Sequence, residues 1–187
     1  MKFIKRSLIT ILILTTVGIL FRGMIYRHLV TYKSVGLRTN YSAKEKKLTD
    51  YIESSIHSKD NTDINQIIKL GLSITSNQLN FTANKNDIDP NKLTISKTAH
   101  CVGYASFFIT TCKYLLKKYH LEDKWILQHQ IGQLYFLGTN VHKYFNSSFL
   151  KDHDFVTIEN KKTGEIIAVD PTVNDYLFID YITYVKY

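Results

Sequence analysis

The stretch Thr98-Ala-His-Cys-Val-Gly-Tyr-Ala105 opens the clearest helix pattern in the chain and sets the order of everything around it. From Cys101 onward, Ala105, Phe108, Cys112, Leu115, Leu116 and Tyr119 fall on one stripe at helical spacing. Thr98 is placed to cap the start, while Lys113, Lys117, Lys118 and His120 suit the negative end of the helix dipole. Upstream, Leu48, Tyr51, Ile52 and Ile56 predict a helix over 43–58. A second helix is expected over 63–76, with Asp60 and Thr62 as caps and Ile64, Ile67, Ile68 and Leu72 inward. Residues 77–97, rich in Asn, Asp and Lys and interrupted by Pro90, read as a loop. Downstream, 124–137 is rich in strand formers, with a bend at Gly132, and 138–152 reads as a loop. Residues 153–159, the turn 160–164 and residues 165–170 read as a hairpin, followed by a last strand over 176–186. Helices followed by strands predict an α+β fold in which the Cys101 helix packs on an antiparallel sheet.

The charge is divided unevenly. Residues 1–48 hold ten Lys/Arg and one Glu, a balance of +9, and residues 49–187 hold fourteen Lys, no Arg and fifteen acids, a balance of −1. The basicity belongs to the N-terminal segment, so a nucleic-acid partner is not expected. Ser7–Phe21 carries no charge, and extension to Tyr26 gives an apolar run interrupted by Arg22 alone. Residues 1–26 therefore read as a hydrophobic signal anchor or transmembrane helix, 27–42 as a juxtamembrane linker and 43–187 as the folded domain. No Ala-x-Ala cleavage site follows the run, and Ser34-Val-Gly36 is a weak alternative that would give a secreted domain. Lys2, Lys5 and Arg6 favour an N-terminus inside, which puts the domain outside the cytoplasm.

A thiol at a helix start, a histidine and a carboxylate are the parts of a cysteine nucleophile system. The hairpin tests whether His153 and Asp170 meet. With Lys161-Lys162 as a two-residue turn, His153 lies directly opposite Asp170. With a four-residue loop over 161–164 and a left-handed Gly164, Asp170 faces Phe155 and lies diagonal to His153. Either register puts both on one face, within about 5–8 Å across the strands. Val156, Ile158, Ile167 and Val169 then share the opposite, apolar face.

Together, Cys101-Val-Gly-Tyr-Ala105, His153-Asp-Phe-Val156 and Asp170-Pro-Thr172 resemble the transglutaminase-like superfamily of papain-related cysteine enzymes. Phe155 stands where many relatives carry Trp, and His100 before the cysteine is less usual. The resemblance covers about residues 80–172. It implies a papain/transglutaminase-like core with Cys101 as nucleophile, His153 as general acid and base, and Asp170 as the residue that orients the imidazole. It also implies a peptide or protein amide substrate and no cofactor. The Cys101 N–H would supply one oxyanion donor, and Gln78, Asn80 and Asn84 are candidates for the second. The alternative is a non-catalytic binding or scaffold module that keeps the fold.

Other residues have plainer readings. Cys112 lies roughly 16 Å along the helix from Cys101, beyond disulfide reach, and reads as core. His100, Cys101, Cys112 and His120 lack zinc-ligand spacing, so no metal is expected. Gly103 reads as a close-packing position and Trp125 as core, and no role falls to His129 or His142.

Overall fold

The computed structural model describes residues 2–56, 63–147 and 150–186. At its centre is helix α6 (Cys101–Lys118), buried almost continuously from Gly103 to Cys112. A helix buried all round needs partners on every side. Helix α4 (Ile64–Gln78) packs on one side, where Gly71 lets the two helices approach: a Cβ there would stand 2.6 Å from Cys112 Sγ. Strand β6 (His153–Asn160) packs on another, presenting Val156 and Ile158 to the same core. Tyr104 fastens a third side by donating its hydroxyl to Asp175 over 2.7 Å, in helix α7 (Pro171–Leu177).

The protein is α+β, with seven α-helices among the described residues and a mixed, nearly closed sheet. Strands β7 (Ile166–Val169), β6, β4 (Trp125–Phe136), β1 (Val30–Arg38) and β8 (Thr183–Val185) lie side by side in that order, and β5 (Thr139–Asn140) adds to β4. Strands β2 (Asn80–Phe81) and β3 (Thr98–Ala99) pair in parallel just before α6. Helix α3 (Lys46–Ser54) and helix α5 (Pro90–Ser96) pack against each other. The β6–β7 hairpin adopts the four-residue loop: Val156 pairs with Val169 and Ile158 with Ile167, and Gly164 sits at φ 72°.

Several expectations are corrected. The segment read as a linker contains β1, which lies inside the sheet between β4 and β8. Its charges find partners only in the folded state: Arg38 pairs with Asp154 on β6, and Lys33 sits 4.4 Å from the centre of the Tyr135 ring. Ser34-Val-Gly36 lies inside β1, so cleavage there would remove Tyr32 from the core. The expected last strand is α7 followed by β8, because Asp170 caps a helix that begins with Pro171, a favoured first helical residue. As β8 runs parallel to β1, the sheet is not purely antiparallel. Pro90 similarly opens α5 inside the expected loop, with Asp89 as its cap. Thr98 belongs to β3, and His100 caps α6 instead. Asp63 caps α4 by accepting the Gln66 N–H over 2.8 Å, while Asp60 and Thr62 lie outside the described residues.

The N-terminal apolar segment is a bent pair, α1 (Lys2–Leu20) and α2 (Arg22–Leu29), with 72° between its members. Among the described residues no single helix is long and apolar enough to cross a membrane; the bent pair taken together is, by length and composition alone. Helix α2 is tied to the fold: Arg22 Nε donates to the Leu177 carbonyl over 2.7 Å, and Thr183 Oγ1 donates to the Arg27 carbonyl over 2.8 Å. A chain lacking residues 1–38 is expected to show no cooperative thermal transition by circular dichroism. A chain lacking only residues 1–20, whose large apolar side chains from Ile4 to Leu20 are exposed, should retain one.

Candidate active site

Cys101 is the first residue of α6, and its side chain is only 6% exposed. The cap before it is a side chain of the cleft itself: His100 Nδ1 accepts the Val102 N–H over 3.3 Å. Gly103 draws this first turn onto its neighbours, since a Cβ there would stand 2.7 Å from the Ala99 Cβ and 3.2 Å from Leu93 Cδ1.

His153 is the first residue of β6, opposite Gly132 on β4. A side chain at 132 would collide with the strand that carries His153: its Cβ would lie 2.4 Å from Phe155 Cε1 and 2.9 Å from the His153 carbonyl oxygen. Asp170 follows β7 and is fully buried. Its Oδ1 accepts the N–H groups of Thr172 (3.0 Å) and Val173 (3.1 Å). Its Oδ2 accepts His153 Nε2–H over 2.6 Å and the Tyr32 hydroxyl over 2.7 Å. The Cys101 thiol lies near enough to the same imidazole for each group to shift the other's proton affinity. With Nε2 committed to Asp170, Nδ1 is the nitrogen left for the thiol. The structure thus brings together all three residues singled out in the sequence.

Electrostatics bias the pair toward its charged form. Burial pushes the Cys101 thiol up, but hydrogen bonds from His100 and His153, the His153 charge and the Asp154 backbone N–H outweigh it and bring the thiol down to about 7. Burial opposes the charged His153 ring, and the Asp170 carboxylate overcomes it, holding the ring well above the ordinary imidazole range. Cys112 is fully buried without such partners, and burial alone pushes its thiol far up.

A second buried carboxylate lies one residue from His153. Asp154 accepts from His129 Nε2 over 2.7 Å and from Arg38 Nε and Nη2, the latter over 3.0 Å. Burial raises this carboxyl, and the hydrogen bonds from His129 and Arg38 reverse the shift, so it lies below its usual value. One strand supplies donors to both carboxylates: Tyr32 reaches Asp170 and Arg38 reaches Asp154. Strict alternation would put residues 32 and 38 on one face. The irregularity in pairing between Ser34 and Gly36 inserts one residue and turns Arg38 to the other face. Sequence reasoning missed Tyr32, Arg38, His129 and Asp154. Only Asp154 carried a signal, as an acid beside His153 in a strand; the Arg38 partnership spans 116 residues.

A cavity of about 460 Å³ opens at the thiol, lined by residues that include Arg38, Asn84, Lys85, His100, Cys101 and Asp152. Of the three oxyanion-donor candidates, only Asn84 lines it. Gln78 is buried, donating to the Thr94 carbonyl over 2.9 Å, and Asn80 is exposed on β2. Another cleft, of about 570 Å³, lies along α6 beside Lys113 and Lys117 and contains no thiol or carboxylate. Among the described residues no group of three or more His, Cys, Asp or Glu could hold a metal ion. No family model, curated protein or solved structure matches this chain.

Near neutral pH, iodoacetamide is expected to modify Cys101 and leave Cys112 untouched in the folded protein, as read by peptide mass spectrometry. His153→Ala should slow Cys101 modification more than about tenfold by returning the thiol toward its free value. Gly132→Ala should destabilise the fold by about 1–3 kcal/mol, measured by denaturant unfolding, because Phe155 and the start of β6 must shift.

Proposed function

We propose that the protein is a transglutaminase-like cysteine enzyme with a papain-related core, acting on peptide or protein carboxamides through a thioester. The observation that carries this reading is the 2.6 Å His153–Asp170 hydrogen bond beside Cys101 at a helix start, with the thiol brought down to about 7 by its neighbours. The thiolate is the reactive form, and the helix N-terminus and the imidazolium both favour it. Cys101 Sγ attacks the carbonyl carbon and the oxyanion forms beside the Cys101 N–H, with Asn84 as candidate second donor. The imidazolium gives its proton to the leaving nitrogen as the C–N bond breaks, leaving a thioester and an amine or ammonia. His153, now neutral, takes a proton from water or an acceptor amine, whose attack on the thioester carbonyl releases the product and regenerates the thiol. Asp170 orients the ring throughout and stabilises its charge. Charged and polar side chains around the thiol favour water as the acceptor, because transfer to an amine requires a drier site.

The bent N-terminal pair is proposed as the membrane attachment. Its exposed Leu and Ile side chains and the flanking Lys5 and Arg6 support an anchor with the domain outside the cytoplasm.

The test is release of ammonia or amine from glutamine-containing peptides, with and without an added primary amine. Cys101→Ala should abolish turnover, and Asp170→Asn should reduce it at least about a hundredfold with the fold retained. Activity should rise with pH as the thiol ionises near 7 and fall only at alkaline pH, where the raised His153 loses its proton. Turnover by Cys101→Ala equal to wild type would exclude the mechanism.

A further inference from the structure

The hydroxyls of Tyr26 and Tyr32 take no part in the chemistry above, yet they stand in line behind it. Tyr32 donates to the same Asp170 oxygen that His153 reaches, over 2.7 Å and 2.6 Å. Tyr26 Oη lies 2.6 Å from Tyr32 Oη. A phenol has one proton to give, and a carboxylate only accepts. The Tyr32 proton is committed to Asp170, so Tyr26 is the donor to Tyr32. The donors therefore point one way, from α2 through β1 to the carboxylate. Tyr32 is fully buried, with its ring edge-on to His153 at 6.1 Å and to Phe155 at 5.3 Å. Burial and the Asp170 charge hold its phenol well above the ordinary range, which keeps it a donor.

We propose that Tyr32, backed by Tyr26, is a positioning residue: the two hydroxyls form a relay that restrains Asp170, moderates the charge it presents to His153, and joins helix α2 to the acid–base machinery. The proposal rests on the Cys101–His153–Asp170 reading. Hydrogen bonds in series polarise one another, so donation from Tyr26 strengthens the Tyr32 bond. Each strengthening draws charge on Oδ2 toward the phenol and away from the imidazolium. Removing a hydroxyl returns that charge to His153, and a better-held imidazolium sustains the Cys101 thiolate at lower pH. The other titratable and charged groups around the pair, His100, Arg38, Lys85, Asp152 and Asp154, are untouched by either substitution.

The test is the pH dependence of Cys101 alkylation by iodoacetamide in the detergent-solubilised full chain. Wild type is compared with Tyr26→Phe, Tyr32→Phe, the double variant and His153→Ala, each with its thermal melt. Tyr32→Phe should move the midpoint down by about half a pH unit. Tyr26→Phe should move it less, in the same direction, and the double variant should match Tyr32→Phe, because Tyr26 acts only through Tyr32. If His153→Ala moves the profile but Tyr32→Phe overlays wild type or shifts upward, the relay is overturned and the thiol–imidazole pair stands. Additive shifts from the two tyrosines overturn the serial order. If His153→Ala itself overlays wild type, the pair falls and the relay with it. Should Tyr32→Phe fail to fold, the half-buried Tyr26 decides alone: a downward shift supports the relay and an unmoved profile overturns it.

Discussion

The Asp170 carboxylate is the interaction on which the other parts depend. It is fully buried and accepts four hydrogen bonds, two on each oxygen. A buried carboxylate with unmet oxygens is strongly unfavourable, so its donors must be in place before the charge is tolerated. They come from three separate elements: the first turn of α7, the start of β6 and the interior of β1. Satisfying one side chain therefore fixes the hairpin register, the turn into α7 and the seat of the N-terminal strand. The same arrangement holds the His153 imidazole by its Nε2 and leaves Nδ1 for the thiol.

Strand β1 meets a second demand of the same kind. Asp154 points to the other face of β6 and needs donors, which arrive as Arg38 and His129. A regular strand could serve only one face with residues 32 and 38. The pairing irregularity beside Gly132 lets it serve both. One strand thereby supplies a donor to each of the two buried carboxylates. This accounts for a basic, glycine-containing segment in the middle of the sheet, where composition alone argues for a linker.

The hairpin was legible because side chains alternate along strands: His153 and Asp170 share a face in either register, and the apolar set Val156, Ile158, Ile167 and Val169 confirms the phase. The Cys101 helix was legible from spacing, and the burial of Cys112 follows from its place on the apolar stripe. Illegible were the elements whose residues make sense only through distant partners. Arg38 looks like juxtamembrane charge until Asp154 is set beside it. Tyr32 looks like one more linker residue until its hydroxyl meets Asp170. Asp-Pro at 170 reads equally as a turn or as a capped helix, and the buried donors around the carboxylate decide between them.

The sequence by itself determined the helix that carries Cys101, the strand phase that unites His153 with Asp170, and the segregation of positive charge to the N-terminal segment. These follow from local periodicity and composition, which need no long-range contact. Tertiary structure alone decided that β1 lies inside the sheet, that β8 runs parallel to it, and that Tyr26, Tyr32, Arg38 and His129 gather around two buried carboxylates. The reason is desolvation: a charge taken out of water accepts whatever donors the fold can bring, and chain distance leaves no mark of that in the pattern of residues.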